Sequence, residues 1–209
     1  ASLIIPYMPY SRMDRSEEAS VFTLKYICEF INSLDFTSVT LLEPHSDVTP
    51  ALLNRVKLVF PTTKLLQVAK SHMSFSDEDY IFFPDAGAQK RYNKMAGQNS
   101  LVGYKQRDFQ TGKITSLEIV GTLPTKPFKA IIVDDLSSYG GTFIAAATEL
   151  RKIGATEIYL VVAHAEKSIL EGEIFKTDLI QKVFATDSIV DMEDATERLV
   201  IYSEKAFRT

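Results

Sequence analysis

The chain has 209 residues, 45% of them hydrophobic and 24% charged, enough for one large domain or two small ones with a buried core. Its net charge of −4 excludes a whole-protein field for nucleic acid, and no apolar run reaches the length of a membrane helix. A single cysteine, Cys28, cannot close an internal disulfide; with no signal peptide in view, a reducing, cytoplasmic setting is expected.

The chain opens at Ala1 rather than Met and runs straight into SLIIPYMPY, which predicts a strand over residues 3–7 and a shortened start. That strand reads as interior, apolar on both faces, and so in need of neighbours on both sides. A helix is predicted over 18–34, with Cys28 as buried filler in its apolar pattern. Strands follow at 38–42 and 57–60, with a domain change near 56–61. A helix over 63–73 carries His72 near its end, and the strand at 80–84 (YIFFP) runs into Asp85. Another strand is read at 101–104. The stretch RDFQTGKITSLEIVGTL over 107–123 then changes character, with Thr111-Gly112 at the tip of an antiparallel arm. A strand at 129–134, a helix over 142–153 closed by Gly154, and strands at 157–163 and 182–186 complete the chain. Short apolar runs alternating with amphipathic stretches are the mark of an α/β fold with a mostly parallel sheet.

The segment KAIIVDDLSSYGGTFIAAATELRKIG carries the chemistry. An apolar strand ends in two carboxylates, Asp134 and Asp135, and a small-residue loop then enters a helix. The N–H groups and positive dipole end of a helix N-terminus suit a phosphate. Gly140 and Gly141 permit close backbone approach, while Ser137, Ser138 and Thr142 offer hydroxyl donors. Carboxylates beside such a loop would repel phosphate unless they faced ribose hydroxyls, alone or with Mg²⁺. Without a Lys after the glycines or a GxGxxG spacing, neither a P-loop nor a dinucleotide site is present. A plain strand-to-helix turn would explain a lone Gly pair, but not the full order of acids, small residues, glycines and helix.

VDDLSSYGGT resembles the phosphoribosyl-diphosphate loop of type I phosphoribosyltransferases and of the ribose-phosphate pyrophosphokinase family. Further segments favour the latter. PYMPYSRMDR (6–15) is similar to its PYFPYxRQDR segment, FPDAGAQKR (83–91) to SPDAGGxKR, and GYKQRD (103–108) resembles its KxR at the start of a flexible arm; FATDS (184–188) is a fainter echo. These stand in the family's order over nearly the whole chain.

The resemblance implies two phosphoribosyltransferase-like domains: the remaining part of an N-terminal one over 1–57, and a C-terminal one over 58–209 that holds the loop. It implies Lys105 and Arg107 as catalytic cations and Asp134 and Asp135 as partners of the ribose hydroxyls. Ser137, Ser138, Tyr139, Gly140, Gly141 and Thr142 would take the 5-phosphate. Arg12, Asp14 and His45 would meet ATP, with His45 and Asp85 at Mg²⁺. Read without the family, Arg12 and Asp14 are loop charges, Asp85 a helix cap, His45 a structural histidine and Lys105 a solvated strand end. His164, in VVAHA, reads as structural or as a support behind the residues of the site. The substrates implied are ATP and ribose 5-phosphate, in a homo-oligomer with neither nucleic acid nor membrane as partner.

The family's pattern breaks in four places. Glu43-Pro44-His45 stands for Asp-Leu-His, Met13 for a Gln, Ser138 for an Asp, and the half-domain that the family has before PYFPY is missing. Three readings follow: a ribose-phosphate pyrophosphokinase, a phosphoribosyltransferase that consumes the diphosphate, and a non-catalytic regulatory homologue.

Overall fold

A computed structural model describes residues 1–16, 20–95, 99–107 and 114–208, and side chains at 106, 107 and 114–116 lie outside that description. The chain divides into two compact units, one of residues 1–61 with 203–209, the other of residues 62–202.

In the first unit, β1 (Ser2–Ile5), β2 (Ser38–Leu42) and β3 (Val56–Val59) form a parallel sheet in that order. Helix α1 (Thr23–Ser33) buries Leu24, Cys28 and Ile31, an i, i+4, i+7 stripe, in one cluster with Ile5, Val39 and Leu41. Burial pushes the Cys28 thiol up to about 11, which fits filler rather than a nucleophile. The short helix α2 (Val48–Leu52), which its sequence does not announce, follows β2. α1 starts later than the predicted residue 18: residues 20–22 are not helical, and 17–19 lie outside the described residues.

Helix α3 (Pro61–His72) opens on a proline, whose missing N–H costs a helix start nothing. The second unit then holds seven strands: β4 (Tyr80–Phe83), β5 (Ser100–Arg107), β6 (Ile114–Gly121), β7 (Phe128–Ser137), β8 (Ala155–Ala165), β9 (Lys182–Thr186) and β10 (Leu199–Tyr202). Their order is β10-β9-β8-β7-β4-β5-β6, parallel throughout except for the antiparallel β5–β6 pair. That pair is the expected arm, although Thr111-Gly112 falls outside the described residues.

Both faces of this sheet are covered. Ala130 and Ile132 of β7 pack in one cluster with Phe143, Ala146, Ala147 and Leu150 of α5 (Gly141–Lys152). Ile131 and Val133 point the other way and are equally buried. On that side Phe184 stands level with Val161 and Val133 across the sheet, and the His72 ring of α3 packs 5.3 Å from it. Helix α4 (Ala86–Tyr92), another element without a strong local signal, follows β4. The fold is the α/β arrangement of parallel sheets and helices, with one antiparallel arm, that the sequence leads one to expect.

Candidate functional site

Strand β7 runs further than its apolar residues, so Asp134, Asp135 and Ser137 are themselves strand residues beside β8. The loop turns at Gly140, which adopts φ 84°, and α5 begins at Gly141. The amides of Phe143 and Ile144 both donate to the Gly140 carbonyl, at 2.9 and 3.1 Å. Among the described residues, Tyr139, Gly140, Gly141 and Thr142 donate no backbone hydrogen bond, as a helix start requires of its first amides. Ser137 is fully buried and its hydroxyl donates to the Ser138 carbonyl at 3.2 Å, so it shapes the loop from within. Ser138 and Thr142 are half-buried, and Tyr139 is exposed.

Next to the loop lies a charged group drawn from three neighbouring strands. Asp135 is buried and meets the Arg91 guanidinium of α4 at 3.4 Å. Asp134 accepts the Asp135 amide at 2.9 Å. Its carboxyl is held well above the usual carboxylate range, by burial first, then by the charge and hydrogen bond of Asp135 and by the charge of Asp85.

Asp85 follows β4 and caps α4, its Oδ1 accepting the Ala88 amide at 3.0 Å; its Oδ2 accepts from Lys105 Nζ at 3.1 Å. Burial pushes the Asp85 carboxyl up, but the Ala88 amide, Lys105 and the Gly87 amide outweigh it, and the net shift is downward. Lys105 itself is largely buried near the end of β5. Because β7, β4 and β5 are parallel neighbours, these groups share the carboxyl edge of the sheet, where open α/β sheets place ligands. Arg107 lies on β5 by its backbone, and its side chain is outside the described residues.

The structure thus brings Asp85, Lys105, Asp134 and Asp135 to one edge together with the loop. Arg91 was not expected there. The one available signal was its place at the end of FPDAGAQKR, one helix turn or more beyond Asp85, on a short helix the local pattern does not announce.

In the first unit, Arg12 is exposed and Asp14 half-buried in the turns after β1, where Met13 N–H donates to the Tyr10 carbonyl at 2.9 Å. His45 is half-buried beyond β2, two residues past Glu43, which is buried at φ 39°. Both segments leave carboxyl ends of adjacent parallel strands. His164 in the second unit is buried, its Nδ1 2.7 Å from Ser188 Oγ, and Ser188 Oγ lies 2.9 Å from Thr186 Oγ1. Among the described residues no group of three or more His, Cys, Asp and Glu side chains could hold a metal, and no helix is long and apolar enough to cross a membrane.

No family model matches the chain. It is 30% identical over 211 residues to the ribose-phosphate pyrophosphokinase of Sulfurisphaera tokodaii, a match over 94% of this chain and 71% of that protein. The Pyrococcus abyssi ribose-phosphate pyrophosphokinase is 27% identical over 212 residues, across 97% of this chain and 70% of the relative. Against the Saccharolobus solfataricus ribose-phosphate pyrophosphokinase the match spans 56% of the relative. The crystal structure of phosphoribosylpyrophosphate synthetase from Mycobacterium smegmatis superposes with a TM-score of 0.77 at 18% identity, over 97% of this chain and 66% of that one. A match of this extent to curated proteins, on a chain that folds as the solved synthetase does, settles the kinship: this protein belongs to the ribose-phosphate pyrophosphokinase family.

Proposed function

We propose that this chain acts in the transfer of the diphosphoryl group of ATP to the anomeric hydroxyl of ribose 5-phosphate, giving phosphoribosyl diphosphate and AMP. The observation that carries the reading is the carboxyl edge of the large sheet, where the Asp134–Asp135 pair stands beside a loop whose amides have no protein carbonyl to serve among the described residues.

In this reading the amides of residues 139–142 and the Thr142 hydroxyl hold the 5-phosphate. Asp134 and Asp135 accept hydrogen bonds from the ribose hydroxyls, with Arg91 holding Asp135 in place. The anomeric oxygen attacks the β-phosphorus of ATP, the bond to the bridging oxygen breaks, and AMP leaves with it. Lys105 and Arg107 offset charge on the phosphoryl oxygens in transit, where positioning and electrostatics do most of the catalysis. Lys105 exchanges its partner Asp85 for substrate as it does so. In the first unit, Arg12, Asp14 and His45 contact ATP.

The carboxylate of Asp85 suits a hard cation such as Mg²⁺, which arrives on substrate phosphates and keeps waters. His45, a nitrogen donor, fits the ATP phosphates better than the metal. When bound, Mg²⁺ neutralises phosphoryl charge.

The test is AMP release by the polypeptide expressed from its complete reading frame. Release that requires ribose 5-phosphate, and that Lys105→Ala lowers about a hundredfold in kcat with ribose 5-phosphate affinity nearly unchanged, is the expected outcome. Consumption of phosphoribosyl diphosphate with a nucleobase would establish a phosphoribosyltransferase instead. No turnover of either kind would leave a regulatory homologue.

A further inference from the structure

The phosphate loop does not hold its shape alone. Gly172 is buried, and a Cβ built on it would fall 2.1 Å from the Tyr139 carbonyl oxygen and 2.8 Å from the carbonyl carbon. A Cβ on Gly140 would fall 2.4 Å from Ile174 Cδ1, and Ile174 is fully buried. The 172–174 segment therefore lies flush against the 139–140 peptide.

That segment is in turn anchored from β10's side. The Arg198 guanidinium donates to the carbonyls of Ile174, Phe175, Thr177 and Ile180, at 3.1, 3.2, 2.7 and 2.6 Å, and sits 5.6 Å over the Phe175 ring. Four carbonyls on one planar cation fix a stretch that has little regular structure of its own.

Peptide planarity links this wall to ligand binding. The carbonyl of Tyr139 and the N–H of Gly140 belong to one trans peptide unit and point in opposite directions. With the carbonyl turned onto Gly172, the Gly140 N–H is turned away from the 172–174 segment, and among the described residues it donates no backbone hydrogen bond.

We propose that Gly172 and Ile174 are positioning residues that set the orientation of the 139–140 peptide, and through it the affinity of the loop for the sugar phosphate. This rests on the reading that the loop takes the 5-phosphate of ribose 5-phosphate. Any side chain at residue 172 pushes the Tyr139 carbonyl aside and rotates the Gly140 donor out of line.

The experiment follows the Gly140 amide resonance of the ¹⁵N-labelled protein during titration with ribose 5-phosphate. In the parent the resonance moves on titration; if it does not, the phosphate reading of the loop fails, and this proposal with it. In Gly172→Ala the same resonance shifts before any ligand is added, and the dissociation constant rises by about tenfold, as when one hydrogen bond to a charged group is lost. The unfolding midpoint falls, because the new Cβ meets backbone rather than a flexible side-chain end, but resonances away from residues 137–142 and 170–176 stay as in the parent, which a merely structural role does not require. A parent that titrates and a variant that binds within about twofold of it overturn the proposal while sparing the reading. If Gly172→Ala does not fold, Ile174→Val carries the test, since it removes Cδ1, the Ile174 atom nearest the place a Cβ on Gly140 would take. A rise of about threefold or more supports the proposal, and a smaller change overturns it.

Discussion

Strands β1 and β7 carry related sequences, SLIIPY and KAIIVDD, and come to opposite circumstances. β7 lies between β8 and β4, and Ala130, Ile131, Ile132 and Val133 are all wholly buried. β1 pairs with β2 alone among the described residues, and its side chains alternate in burial. Leu3 and Ile5 face the α1 cluster, while Ile4 shares its row with Thr40 and Lys57 and is 43% exposed. An apolar run declares that a strand can be buried on both faces. Whether it is depends on the elements that cover it, and those are specified elsewhere in the chain.

The difference predicts unequal costs for similar truncations. Ile132→Ala removes three carbons from a site packed by α5 and by both neighbouring strands, and should destabilise the protein by about 2–5 kcal/mol in denaturant unfolding. A loss under about 1 kcal/mol would mean that β7 is not the rigid centre of its sheet.

A smaller effect tests the charged end of the same strand. The folded-state pKa of Asp134 is raised, so the folded protein binds a proton more tightly than the unfolded chain does. The resulting stability is complete at pH below the ordinary carboxylate value of 3.8 and is lost as pH rises through the raised folded value. Asparagine mimics the protonated form. Asp134→Asn should therefore raise the unfolding midpoint at neutral pH, and its advantage over the parent should shrink steadily as the pH falls toward 4. A constant offset at every pH would show that desolvation and the neighbouring carboxylates do not govern this group.

Much of this was legible in the residues. Strands 38–42 and 182–186 fall where the apolar runs place them, and the antiparallel strand β6 lies within the stretch 107–123 whose pattern changes, although its partner β5 already starts at residue 100. Gly154, at φ 101°, closes α5 as its position foretells. The acids and the loop stand at one sheet edge because a parallel strand followed by a helix can put them nowhere else. What was not legible is tertiary. Arg91 reaches Asp135 from a seven-residue helix without strong periodicity, and Lys105 reaches Asp85 from the neighbouring strand. Ser137 looked like a phosphate donor by type, yet its hydroxyl turns inward to Ser138, and only the backbone path decides that. The role of Gly172 depends on a carbonyl thirty-odd residues away in sequence, with no local signature at all.

The smallest expected effect lies at the edge strand. Ile4→Thr keeps the β-branched shape, gives up partly exposed apolar surface, and leaves the Leu3 and Ile5 contacts with the α1 cluster intact. If nothing covers the row of Ile4, Thr40 and Lys57, the change should stay within about 0.5 kcal/mol, as surface substitutions do. A loss above about 1.5 kcal/mol is more than the exposed part of this side chain explains, and it points to cover in solution from outside the described residues, a second copy or another polypeptide among the sources. The two cases separate without further mutagenesis. Burial by a second copy makes the parent's unfolding midpoint rise with protein concentration, and makes the threonine variant lose that dependence. A midpoint that ignores concentration in both proteins, with a small loss on substitution, identifies β1 as a solvated edge, its exposed face protected by the polar neighbours Thr40 and Lys57.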